Sequence, residues 1–145
     1  MLPSDRGGFR RMFAEAWRKR RARLPADPLE TQIGDVVGDH PEYQPLLEAG
    51  ETALESEWAP EDGQANPFMH MGLHLSIREQ VATDRPAGIA AQYRRLAGIL
   101  GQHEAEHRMM DVLGEALWRA QRNNQPPDEV SYLEAIKGIP GRRNF

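Results

Sequence analysis

Four of the chain's five histidines fall into two pairs of identical spacing, His70 and His74 in "HMGLH" and His103 and His107 in "HEAEH". Residues four apart on a helix lie one above the other on the same face, so two imidazoles at that spacing can ligate one ion. Two such pairs offer four nitrogens. That suffices for a closed tetrahedral zinc site, or for most of an open site with iron, nickel or copper. The expected ligands are therefore His70, His74, His103 and His107, with zinc or iron as the ion. Glu104, Glu106 and His40 are candidates for the outer shell that orients metal-bound imidazoles.

"HEAEH" also fits the H-E-x-x-H pattern of zinc metalloproteases. Such a site needs a third protein ligand, a position open to water and, as a rule, a strand along which peptide substrate lies. Glu115 sits on the same helix and cannot close onto the ion, which leaves Glu129 and Glu134 as third ligands. No strand is expected, so the protease reading is disfavoured and the question of enzymatic activity stays open. Hemerythrin-like di-iron centres pair a histidine with a glutamate four residues later, whereas Arg78 follows His74 at that spacing. Ferritin-like centres need Glu-x-x-His on two helices, which the two pairs do not provide. The competing structural account is that the imidazoles are buried, neutral and hydrogen-bonded to neighbours. Burying four of them without a shared partner is costly, because each carries a donor and an acceptor to satisfy.

The remaining composition narrows the chemistry. The chain of 145 residues is 39% apolar and 28% charged, with a formal charge of -4 and no cysteine. One soluble domain spanning 1–145 is expected, with residues 1–8 and 139–145 as loose tails. Without thiols there are no disulfides, iron–sulfur clusters or cysteine nucleophiles, and any metal must be held by His, Asp or Glu. No apolar run reaches the roughly 20 residues that cross a bilayer, and "PSDRGG" at the start is no signal core, so a cytoplasmic protein is expected. No glycine-rich phosphate loop or nucleophile elbow is present.

The elements that must position the histidines read as helices throughout. Phe9, Phe13, Ala16, Trp17 and Leu24 recur at helical spacing over about 9–23, and a second helix over about 29–38 presents Leu29, Ile33, Val36 and Val37 behind an Asp27–Pro28 start. "HPEYQPLLEAG" is a tight corner and short helix with Asp39 or His40 capping and Gly50 ending it. "ETALESEWAPEDGQA" is an acidic connection. Asn66 and Pro67 open a helix to about Ala82, and after "TDRPAG" another begins near Pro86 to Gly88. The last runs from Asp128 to about Lys137, with Val130, Leu133 and Ile136 as its apolar side. Nothing alternates with a strand period, so the expected fold is an all-α, single-domain bundle of about five to six helices.

Both pairs are expected to face inward. Leu96, Leu100, His103, His107, Met110, Gly114 and Leu117 form one stripe with steps of three and four, as do His70, His74, Ile77 and Val81. In a simple hairpin about Asp84 to Pro86, however, the residue facing His74 falls near position 96 rather than 103, about 10 Å away along the rise. The pairs meet either if the turn climbs or if the chain breaks at Gly101. Gly98 and Gly101 weaken helix propensity there and favour the break.

Charge is unevenly placed. Residues 6–24 hold eight of the 18 lysines and arginines and a single acid, Glu15. Arg10, Arg11, Arg18, Lys19 and Arg21 make a basic patch, whose plain reading is a solvated cationic face. Its sharper reading is an electrostatic footprint for nucleic acid or an acidic protein. The alternative to metal binding is thus a non-enzymatic interaction module with structural histidines.

The stretches "FAEAWRK", "HPEY", "EDGQANPFMHMGLHLSIREQ", "HEAEH" and "LGEALWRAQRN" resemble a bacterial family of unknown function, DUF1841, over about Phe9 to Ile136. The resemblance implies a small cytosolic bacterial protein and assigns no activity.

Overall fold

Aspartate, asparagine, proline and glycine set most of the element boundaries. In the computed structural model, residues 6–50 and 66–141 are described. They form α1 (Arg6–Ala22), α2 (Pro28–Gly38), a 3-10 turn (Pro41–Tyr43), α3 (Gln44–Glu48), α4 (Pro67–Thr83), α5 (Ile89–Leu100), α6 (Gln102–Arg122) and α7 (Glu129–Lys137). Among the described residues there is no strand, in keeping with the all-α expectation. Among the described residues the expected count of five to six becomes seven α-helices, because the chain breaks at Gly101 between α5 and α6. The acidic connection expected over 51–65 lies outside the described residues.

The chain divides into two compact units, Met1–Leu75 and Ser76–Phe145. In the first, Phe13 and Ala16 of α1, Ile33, Val36 and Val37 of α2, Leu47 of α3, and Phe68, Met71 and Leu75 of α4 form one core. Fully burying a side chain such as Phe13 stabilises by about 1.5–3 kcal/mol. Asp27 and Glu30 make the capping box that starts α2, with Glu30 N–H donating to Asp27 Oδ1 at 2.7 Å and Asp27 N–H to Glu30 Oε1 at 3.0 Å. Asn66 caps α4, its Oδ1 accepting from Phe68 N–H at 2.9 Å. Leu24, expected on the apolar face of α1, is exposed, since the chain leaves the helix through a left-handed Arg23 with φ of 56°.

In the second unit α5, α6 and α7 pack on one another around Ile89, Leu96, Met109, Leu113 and Ile136. Asp84 Oδ1 accepts from Gly88 N–H at 3.1 Å and Ala90 N–H at 3.0 Å, which satisfies the start of α5. Gly101, with φ of 87° and ψ of 160°, ends α5 and starts α6. That combination is essentially reserved for glycine. α7 starts one residue after the expected Asp128, which caps it, but its buried face is Tyr132 and Ile136, and Val130 points to solvent at 74% exposure. Ile139, expected in a loose tail, is buried, and its carbonyl accepts from Arg95 Nη1 at 3.2 Å. Similarly α1 begins at Arg6, inside the stretch expected to be loose, while residues 1–5 and 142–145 lie outside the described residues.

Candidate metal centre

Three histidines of the first unit converge. His40 follows α2, where its backbone N–H donates to Val37 O at 3.0 Å. Its ring turns back beneath the helix end and places Nδ1 2.7 Å from Val36 O. A carbonyl only accepts, so Nδ1 carries the proton and Nε2 of the neutral ring carries a lone pair. Opposite it, one turn of α4 presents His70 and His74. His74 Nε2 lies 3.2 Å from His40 Nε2 and 3.1 Å from His70 Nε2. His40 and His74 are buried, at 3% and 1% exposure, and His70 is half-buried.

The spacing decides what this cluster can do. Each Nε2 has one in-plane site, either an N–H or a lone pair. With His40 Nε2 a lone pair, the His74 Nε2 proton can satisfy one neighbour well but not two lying in different directions. A cation accepts all three lone pairs at once. Tetrahedral zinc with Zn–N of about 2.0–2.1 Å holds its nitrogens roughly 3.3–3.4 Å apart. The observed separations are therefore close to one edge of such a polyhedron, and the three ligand atoms all lie within 4.8 Å of one another. The carbonyl end of α2, engaged here by His40, also favours positive charge.

Tyr43 completes the setting. Its ring stacks on His40, with centroids 5.5 Å apart and planes 7° from parallel, and meets His70 edge-on at 6.1 Å. Burial, and then the charge of Glu42, raises its phenol above the ordinary value, so the hydroxyl stays protonated.

His40 was expected only in an outer shell; it is instead a direct member of the cluster. The signal available in the sequence was its place immediately after a helix end and before "PEY". Tyr43 was not among the expected site residues. His103 and His107 belong to the second unit, on α6, where their rings lie 4.2 Å apart. The inward stripe expected for them is corrected at His103. The buried face of α6 is Ala105, Glu106, Met109, Met110 and Leu113, so His103 is exposed and His107 half-buried. Glu104 is directed to the surface, where Arg108 Nε donates to it at 2.9 Å. Glu106 is buried in an ion pair with Arg78 at 3.0 Å. Glu129 and Glu134 are exposed, and among the described residues neither joins a group of three ligands.

The basic patch is also revised. Arg10 is buried at 4% exposure with its guanidinium 4.8 Å over the Phe68 ring, so it is no part of a solvated face. Arg18 pairs with Glu15 at 2.6 Å, Lys19 with Glu30 at 2.6 Å and Arg21 with Glu48 at 3.3 Å. The hydrogen bond from Lys19 holds Glu30 below its usual carboxylate range. Arg11 remains on the exposed side. Acids of α1, α2 and α3 thus offset much of the α1 charge. No helix among the described residues is long and apolar enough to cross a membrane.

These features define an all-helical protein with a cluster of three imidazoles at the end of α2. The chain belongs to the DUF1841 family, described as a domain of unknown function, whose model matches residues 5–138. No curated protein and no solved structure matches the chain.

Proposed function

We propose that this protein binds one divalent transition-metal ion, zinc or iron, through His40, His70 and His74. The carrying observation is the approach of three Nε2 atoms to 3.1–3.2 Å along the series His40, His74, His70. The all-imidazole donor set suits zinc, iron, nickel or copper and disfavours magnesium and calcium, which take oxygen ligands. The two nitrogen separations are near the edge of a tetrahedral zinc shell. Three imidazoles leave at least one coordination position. Water in that position would make the centre chemically reactive.

The test is elemental analysis of untagged protein purified without added metal, repeated after incubation with zinc and dialysis, and on His74→Ala. About one equivalent in the parent and none in the variant is expected. Metal near zero in the refilled parent ends the proposal. A role for α1 as an electrostatic footprint for nucleic acid or an acidic protein is weaker, since Arg18, Lys19 and Arg21 already face carboxylates.

A further inference from the structure

We infer, given the metal-binding reading above, that Tyr43 is the positioning residue of the centre: its ring fixes the tilt of His40 and bears on His70. The cause is local. His40 precedes a single 3-10 turn, Pro41–Tyr43, closed by Tyr43 N–H donating to His40 O at 3.0 Å. That hydrogen bond folds the chain back on its cap residue and brings position 43 beside position 40. Pro41 fixes φ at the first step of that turn. The consequence is the parallel stack at 7°, an offset geometry favoured for aromatic rings.

His40 needs such a contact. Its two polar partners, Val36 O at Nδ1 and His74 at Nε2, lie at opposite ends of the imidazole. The ring can still turn a little about its Cβ–Cγ bond, and such a turn moves the Nε2 lone pair off the point shared with His70 and His74. A flat ring against its face opposes that turn. The edge contact of Tyr43 with His70 at 6.1 Å gives one side chain a bearing on two of the three ligands. The phenol is neutral and acts through its ring.

The test compares Tyr43→Leu and Tyr43→Phe with the parent chain, using two readouts. Co(II) is titrated into metal-free protein, with affinity from chelator competition and geometry from the ligand-field bands. The leucine variant binds Co(II) roughly tenfold or more weakly with altered bands, while phenylalanine restores both to within about twofold of the parent. In the metal-free chain, long-range proton–nitrogen correlation spectra read the His40 tautomer. The Nδ1–H signature persists in the parent and the phenylalanine variant and averages out in the leucine variant. Tyr43 is half-buried, so both variants keep the parent's helical circular dichroism; Tyr43→Met serves as the ring-free variant if leucine does not fold. A ring-free variant with parental Co(II) bands and a parental His40 signature overturns the inference. A parent that takes up no Co(II), while its His40 signature still collapses without the ring, sinks the metal-binding reading and upholds the positioning of His40 by Tyr43.

Discussion

The two HxxxH pairs share residue type and spacing and end in different surroundings. In both, the spacing does what helix geometry requires, with ring centroids 4.8 Å apart for His70 and His74 and 4.2 Å for His103 and His107. The difference lies in phase. On α4 the face that carries His74 also carries Met71 and Leu75 into the core, and His40 stands across from it. On α6 the buried face is set by Ala105, Met109 and Leu113, which leaves His103 in solvent in the first turn. Spacing therefore brings two imidazoles to each other; a third nitrogen, held by a different element, makes a candidate centre.

The most severe test of that contrast is metal retention. His74→Ala and His40→Ala each abolish binding, because His74 Nε2 is the shared neighbour and His40 the nitrogen brought by a second element. His103→Ala changes affinity by less than about twofold. Chelator competition with zinc reads all three, and equal losses from His103→Ala and His74→Ala would dissolve the distinction. The next largest effect concerns the glutamates inside "HEAEH". Glu106 is buried in an ion pair with Arg78, whose side chain is 28% exposed, so Glu106→Ala breaks a largely buried pair and destabilises by about 2–3 kcal/mol, discounted for solvent on the arginine. Glu104 meets Arg108 at the surface, and Glu104→Ala costs at most about 0.5 kcal/mol. Urea denaturation measures both, and similar values for the two would show that the buried face of α6 is misplaced.

Helix positions were well marked in the sequence because their causes are local. Asp27 with Glu30, Asn66 with Pro67, and Asp128 each act within four residues, and each starts a helix as expected. Helix phase was less legible, because it depends on what packs against the element. Leu117 fits the stripe read for His103 and His107 yet is 42% exposed, and Tyr132 displaces Val130 from the buried face of α7. Of the candidate centre, His70 and His74 were visible by spacing. His40 stood out only as a helix cap and an outer-shell candidate, since its role depends on a 34-residue separation from His74 that no local pattern encodes. Arg10 shows the same limit from the other side, as a cation counted on a basic face whose actual neighbour is Phe68.

Two glycines weighed alike in the sequence give the finest test of how α6 acquires its phase. Gly98 lies inside α5 and Gly101 between α5 and α6, and a Cβ at either meets nothing within 4 Å, so space does not distinguish them. Backbone conformation does. Gly98 is helical, and Gly98→Ala removes chain entropy from the unfolded state, stabilising by about 0.5–1 kcal/mol. Gly101 holds φ of 87° and ψ of 160°, where an L side chain is strained, so Gly101→Ala destabilises by about 1–3 kcal/mol. The two substitutions add the same methyl group three residues apart and should move the urea midpoint in opposite directions. If Gly101→Ala stabilised as Gly98→Ala does, α5 and α6 would be one continuous helix. The buried positions of α6 would then follow the stripe through Leu96 and Leu100, restoring His103 to an inward face.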